Sequence, residues 1–172
     1  LMVPMLTVVS DFVGILGGYF VGVHILGINS GIFIKNITRL VDLGIEPFLL
    51  SPSLVLIIAQ RLVRKLCPEC RQPTEPAATF RERVKLPPGQ YFRPKGCAAC
   101  RNAGYRGRIA IYEVLSADAR VQDLVSKRAP EEEIQQAARA QGMKTLLEDG
   151  VDKAAGGITS LEEVFSVTIG ER

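Results

Sequence analysis

Four cysteines in two pairs of identical spacing carry the clearest chemistry in this chain: Cys67-Pro68-Glu69-Cys70 and Cys97-Ala98-Ala99-Cys100. A C-x-x-C turn aims two sulfurs from one tight loop at a common point, and two such turns complete a tetrahedral thiolate shell around a soft divalent cation. Zinc is the expected metal, with a four-thiolate iron site or redox-active thiols as the alternatives. The pairs are separated by 26 residues, somewhat more than the common ribbon spacing. A closed four-sulfur shell leaves no open position for water or substrate. The expected role of Cys67, Cys70, Cys97 and Cys100 is therefore to hold structure and not to hydrolyse anything.

Other catalytic arrangements are missing from the sequence. It holds no G-x-x-x-x-G-K-[ST] phosphate loop, and its single histidine, His24, sits in an apolar stretch where no Ser/His/Asp set can be built around it. The chain alone is expected not to hydrolyse ATP. Around the cysteines lies a basic block, with 12 Lys/Arg against 3 Asp/Glu from Arg61 to Arg108, followed by an acidic tail with 7 against 12 from Ile109 to Arg172. Such a block suits nucleic acid, anionic lipid or an acidic protein surface. Arg101, Arg106 and Arg108 beside the second pair make a nucleic-acid surface the main competing reading. Aromatic residues for base stacking are sparse, however: Tyr91, Phe92, Tyr105, Tyr112 and no tryptophan. Nucleic acid is not the expected partner.

The elements that must position the cysteines begin with a division in charge. Residues 1–34 contain one formal charge, Asp11, and the remaining 38 lie between residues 35 and 172. Phe12 to Ile34 form an uncharged run of 23 residues, long enough as a helix to cross a hydrocarbon core of ~30 Å. Gly14, Gly18 and Gly22 on one face would let a neighbouring helix approach closely. Lys35 and Arg39 then place the rest of the chain in the cytoplasm by the positive-inside tendency, and reduced C-x-x-C cysteines favour the same side. Asp11 and His24 are the ionisable residues of this segment and receive no assigned task. With Leu1 already inside an apolar run and no signal-peptide pattern, the expectation is a chain cut from something longer or a truncated gene model.

Beyond the apolar stretch, Thr38 to Leu43 reads as a short helix stopped by Gly44, with an extended exit forced by Pro47. Ser51-Pro52 reads as a helix start, predicting a buried helix from Pro52 to about Leu66. Arg71 to Pro88 reads as a loop, and Ile109 to Leu115 as a strand entered through Gly104 and Gly107. Helices are expected from Ser116, from Pro130 to Gly142, up to Gly156-Gly157, and from a capping box at Thr159–Glu162 or Ser160–Glu163.

The strings Ile37-Thr38-Arg39-Leu40-Val41-Asp42-Leu43-Gly44-Ile45-Glu46-Pro47-Phe48 and Ala59-Gln60-Arg61-Leu62-Val63-Arg64-Lys65-Leu66-Cys67-Pro68 closely resemble the secretion and pilus-assembly ATPases. These are the type II secretion protein E and type IV pilus extension motor (GspE/PulE/PilB) group. The likeness continues through Gly96-Cys97, Cys100, Gly104-Tyr105, Gly107-Arg108, Tyr112-Glu113-Val114-Leu115, Gly142-Met143 and Thr159 to Val164. It implies the C-terminal end of a RecA-like hexameric motor with a tetracysteine zinc module inserted after the Gln60-Arg61-Leu62 helix. The family spends ATP, with magnesium, on pilus or pseudopilus assembly at the bacterial inner membrane, against a polytopic platform protein. Its Walker A loop, Walker B carboxylate and histidine box would lie upstream of this sequence, so only the four cysteines carry over.

Residues 1 to about 36 resemble instead the late transmembrane region of Mla-type (MlaE) lipid-asymmetry ABC permeases, through Pro4, Asp11, Gly14, Gly17-Gly18 and Leu26-Gly27. Together the two resemblances imply a chimera joined near Asn36. The expected fold is mainly α with a small β/zinc element: 1–36 a membrane-type glycine-rich helix, 37–66 the tail of a RecA-like core, 67–108 the zinc module, and 109–172 a strand plus C-terminal helices. The expected location is the cytoplasmic face of the inner membrane, with a homo-hexamer and the platform protein as partners. The alternatives are a membrane-anchored zinc ribbon binding nucleic acid and a permease fragment in phospholipid transport.

Overall fold

The computed structural model describes residue 37 and residues 40–168. The expected membrane segment at 12–34, with Asp11 and His24, lies outside the described residues. Among those described, no helix is long and apolar enough to cross a membrane. The chain divides into two compact units. One takes the described residues through Ala59 together with Val114–Met143; the other takes Gln60–Glu113 and the residues from Lys144 onward.

The first unit opens with helical residues 40–42, closed at Gly44 as expected, where the Gly44 and Ile45 N–H groups donate back to the Val41 and Leu40 carbonyls. Glu46 is extended and Pro47 occupies the first turn of α1 (Pro47–Ser53). A proline there loses only a donor that the helix leaves unpaired anyway. The predicted Pro52–Leu66 helix does not form: α1 ends at Ser53, Leu54 is extended, and β1 runs from Leu56 to Leu66. A continuous apolar run fits a buried helix or a strand equally well. Here Ile57, Ile58 and Val63, stiff at χ1, suit a pleated surface, and the hydrogen bonds of a distant partner strand settle the strand. The fragment is therefore mixed α/β and not mainly α.

β1 pairs with β4 (Tyr105–Ser116), which begins earlier than predicted but ends where expected. Strand periodicity places Ile111, Glu113 and Leu115 on one buried row while Tyr112 and Val114 stay exposed.

After β4, α3 (Ala119–Ser126) is capped by Asp118, not Ser116: the Asp118 carboxylate accepts from the Val121 N–H at 2.9 Å. α4 (Glu131–Ala140) starts behind Pro130 with three glutamates in its first turn and closes at Gly142. The charges suit the positive end of the helix dipole. The core of this unit gathers Leu50, Leu54, Leu115, Val121, Val125, Ile134, Ala137, Ala138 and Met143. Ser51, expected as a cap, instead donates to the Gln122 carbonyl at 2.6 Å, and the Gln122 amide donates to the Leu54 carbonyl at 3.0 Å.

In the second unit the expected 71–88 loop holds two short elements, β2 (Gln72–Pro73) and α2 (Ala78–Arg81). β2 pairs antiparallel with β3 (Phe92–Arg93), Gln72 opposite Arg93 and Pro73 opposite Phe92. Two helices complete it, α5 (Leu146–Ala155) and α6 (Leu161–Thr168). They pack closely because Gly150 lacks a side chain; a Cβ there would lie 2.5 Å from a Val164 methyl. Tyr91, Val151, Ala154, Leu161, Val164 and Phe165 form its apolar core. Buried Glu113 accepts from the Leu146 N–H at 3.2 Å and so receives one of the donors that begin α5.

Candidate metal centre

Both cysteine pairs fold as tight knuckles. The Cys67 carbonyl accepts from the Cys70 and Arg71 N–H groups at 3.3 and 3.0 Å, which bends the first pair back on itself. The second pair spans a 3-10 turn at Ala98–Cys100, after which Arg101 and Asn102 both take left-handed backbone angles. Gly104 is where the knuckles meet. Its φ of 74° and Pro94, whose Cβ any Cβ placed there would strike, exclude a side chain; its carbonyl accepts from the Cys67 N–H at 2.9 Å, and its N–H donates to the Cys100 sulfur at 3.2 Å.

All four sequence-predicted ligands come together, their sulfurs lying within 4.8 Å of one another. Three pairs are closer: Cys97 to Cys100 at 3.7 Å, Cys70 to Cys100 at 3.8 Å, and Cys67 to Cys97 at 3.9 Å. A regular tetrahedron with metal–sulfur bonds of about 2.3 Å has edges of about 3.8 Å. These separations are those of sulfurs around one ion and far exceed a disulfide bond of about 2.05 Å. The donor set therefore fits zinc, and the metal would be held by Cys67, Cys70, Cys97 and Cys100 as a closed shell.

Holding four adjoining sulfurs as thiolates would require a cation. Burial pushes the Cys70 thiol up to about 11 despite a backbone N–H from Gly96, with the neighbouring sulfurs adding to the rise. Burial also opposes the Cys100 thiolate, but N–H groups of Cys97 and Gly104, together with the Cys97 and Cys70 sulfurs, outweigh it and bring this thiol down to about 7.

Sequence reasoning missed the polar frame behind the knuckles. Arg64, just upstream of Cys67, grips Glu163 of α6: its Nε donates to one carboxylate oxygen at 2.8 Å and its backbone N–H to the other at 3.0 Å. The Arg64 guanidinium also lies 4.1 Å from the centre of the Tyr105 ring, whose hydroxyl meets Ser160 at 2.9 Å. Thr159 donates to the Arg64 carbonyl at 2.8 Å, and the Leu66 N–H donates to the Ile158 carbonyl at 2.9 Å. On the other side of the first knuckle Arg71 donates to the Gly157 carbonyl and covers the Phe92 ring. The Ser160–Glu163 pair was visible as a capping box, yet only half of it forms. Ser160 accepts from the Glu163 N–H at 3.3 Å while the Glu163 carboxylate goes to Arg64. Of the candidate nucleic-acid arginines, Arg101 and Arg108 are exposed, and Arg106 lies 3.8 Å from Glu69 of the first knuckle.

The sequence matches the Type II/IV secretion system protein family over residues 28–166. That segment crosses the position near Asn36 where a junction was expected. The chain is 45% identical over 135 residues to the Type II secretion system ATPase E of Vibrio cholerae, a match covering 77% of this chain and 27% of that protein. It is 44% identical over 140 residues to the Type II secretion system protein E of Aeromonas hydrophila, covering 78% and 27%. To the Type IV pilus assembly ATPase PilB of Thermus thermophilus it is 40% identical over 140 residues, covering 78% and 16%. The chain thus spans about a quarter of the length of the curated secretion relatives it matches. A tetracysteine centre on a mixed α/β fragment and a match running through it lead to one conclusion: the chain belongs to the Type II/IV secretion system protein family.

Proposed function

We propose that this chain is the zinc-bearing C-terminal portion of an ATP-driven motor for type II secretion or type IV pilus assembly. The observation that carries the reading is the convergence of four cysteine sulfurs within 4.8 Å of one another inside the family-matched segment. Zinc clamps the two knuckles, and the Arg64–Glu163 and Arg71–Gly157 contacts carry that rigidity to α6 and to the turn before it. The ion supplies no reaction; it replaces core that a segment rich in proline and charge does not provide. ATP and magnesium belong to the catalytic part of a complete motor, which would act as a homo-hexamer against a platform protein at the cytoplasmic face of the inner membrane. For residues 1 to about 36 the permease-like reading also stands as a proposal, with the family match from residue 28 counting against a junction near Asn36; long-read sequencing across the Asn36 codon tests it, and a continuous upstream frame encoding a Walker A loop would end it.

The functional test is a replacement experiment. Residues 37–172 are exchanged for the corresponding C-terminal part of a type II secretion ATPase, and secretion is measured in cells lacking the native motor. The expected result is restored secretion that Cys67→Ser abolishes. A hybrid that is folded, hexameric and hydrolyses ATP yet never secretes would refute the reading. Salt-sensitive binding of residues 37–172 to DNA or RNA would favour the nucleic-acid alternative.

A further inference from the structure

The four sulfurs are not equally sheltered. Cys67 is wholly buried and Cys70 and Cys100 are 8% and 7% exposed, whereas Cys97 is only partly covered. Its C-terminal neighbours Ala98 and Ala99 are exposed and carry no more than a methyl group, so nothing long lies over it from that side. Cys100 is protected twice, by burial and by two backbone N–H groups that spread its sulfur charge, from Cys97 and Gly104 at 3.2 Å each. In a zinc shell all four sulfurs are thiolates, so access decides which of them an oxidant reaches first.

We propose that Cys97 is an oxidation site, the one ligand through which peroxide enters and empties the metal centre; this rests on the four sulfurs holding zinc. The Cys97 thiolate attacks one oxygen of hydrogen peroxide, the O–O bond breaks, and hydroxide leaves, so that Cys97 becomes a sulfenic acid. The Cys100 thiolate, 3.7 Å away in the same knuckle, attacks that sulfur and expels a second hydroxide. Two thiolates lose two electrons to the disulfide, and peroxide gains them. Cys100 is the partner because it shares a turn with Cys97 and lies nearer to it, at 3.7 Å against 3.9 Å for Cys67 of the other knuckle. The metal is left with Cys67 and Cys70 alone, too few ligands for a structural zinc site.

The test uses the zinc-loaded full chain in three measurements. Metal content is determined first, and a chain that carries no zinc overturns the metal reading itself. Hydrogen peroxide is then added, and zinc release is followed with a chromogenic indicator while peptides are mapped for disulfides. The expected result is one zinc released for each Cys97–Cys100 disulfide formed. Retention of zinc under peroxide that fully oxidises a small thiol overturns the proposal. In a parallel sample dimedone traps the first sulfenic acid. Label on Cys97 is expected, and label first on Cys67, Cys70 or Cys100 overturns it. Cys97→His keeps a four-ligand zinc set and should slow peroxide-driven release at least tenfold. Should that variant fail to load metal, the dimedone position in the native chain decides alone.

Discussion

The helical unit around Val121 and the unit that carries the cysteines solve the same problem by opposite means. In the first, α1, α3 and α4 place a continuous apolar set together: Leu50, Leu54, Leu115, Val121, Val125 and Ile134 are all nearly inaccessible. Its polar bonds, such as Ser51 to Gln122, decorate a core that would exist without them. In the second, α5 and α6 keep an apolar core around Val164, but the stretch between the cysteine pairs is rich in proline and charge, and the buried cluster that the knuckles share is made of sulfur. What joins that cluster to the terminal helices is a set of directed contacts from Arg64, Arg71, Tyr105 and Thr159. Apolar packing tolerates substitutions of similar volume, whereas a ligand shell fails when one member is lost. The two units should therefore break under different insults.

The largest effect should come from removing the metal. Structural zinc in small peptides contributes apparent folding free energies of about 10–16 kcal/mol, so chelation should unfold residues 67–108. The expected stoichiometry is about one zinc per chain. Hydrogen exchange of the zinc-loaded chain before and after chelation should show amides of the two knuckles losing protection while α3 and α4 keep theirs. Stoichiometric iron, or knuckles unchanged after complete zinc removal, would contradict the assignment.

The converse experiment is Leu115→Ala. Leu115 is 1% exposed within the helical unit's core, and truncating such a leucine costs about 2–5 kcal/mol. Urea denaturation should register that loss while metal content stays at its native value. A Leu115→Ala chain that no longer binds zinc would mean that the contrast between the units is false.

The cysteine centre was legible because its information is local. A knuckle is four residues long, and the ligand types and the spacing announce the metal before any tertiary structure is known. The helix boundaries at Gly44, Pro130, Gly142 and Gly156 were legible for the same reason, since caps act within one turn. Two things were not. Leu56–Leu66 is a strand because β4, about fifty positions away, supplies its hydrogen bonds, and no window around Ile57 contains that partner. The Arg64–Glu163 contact joins positions 99 apart, and a local reading of Glu163 yields only the cap that its carboxylate abandons.

That contact gives the next prediction. Glu163 is 6% exposed and Arg64 is 54% exposed, so the guanidinium can turn to water once its partner is lost, and Glu163→Gln should cost about 1–3 kcal/mol. Burial by itself would raise the Glu163 carboxyl, but the Arg64 side chain and backbone N–H hold it below its usual value. A carboxylate depressed in the folded state adds stability above its unfolded value of about 4.3 and loses it as pH falls toward the folded one. The stability gap between the native chain and Glu163→Gln should thus be full at pH 7 and shrink below about pH 4.5. Both chains carry the same cysteine set, so acid release of metal affects them alike. A gap independent of pH across that range would show that the ion pair is not what Glu163 contributes.

The smallest effect tests whether the start of α5 is stabilised independently of the metal, by ordinary helix chemistry. α5 begins with a full capping box: the Thr145 hydroxyl accepts from the Glu148 N–H at 3.3 Å, and the Glu148 carboxylate accepts from the Thr145 N–H at 2.8 Å. Thr145→Ala removes only the hydroxyl half and should cost about 1 kcal/mol. Because α5 touches the knuckles through no ligand, the loss should appear as earlier exchange of its first-turn amides, with zinc affinity unchanged within twofold. A drop in zinc affinity larger than that would place α5 in the metal-dependent part of the unit and move the boundary between the two modes of stabilisation to the start of that helix.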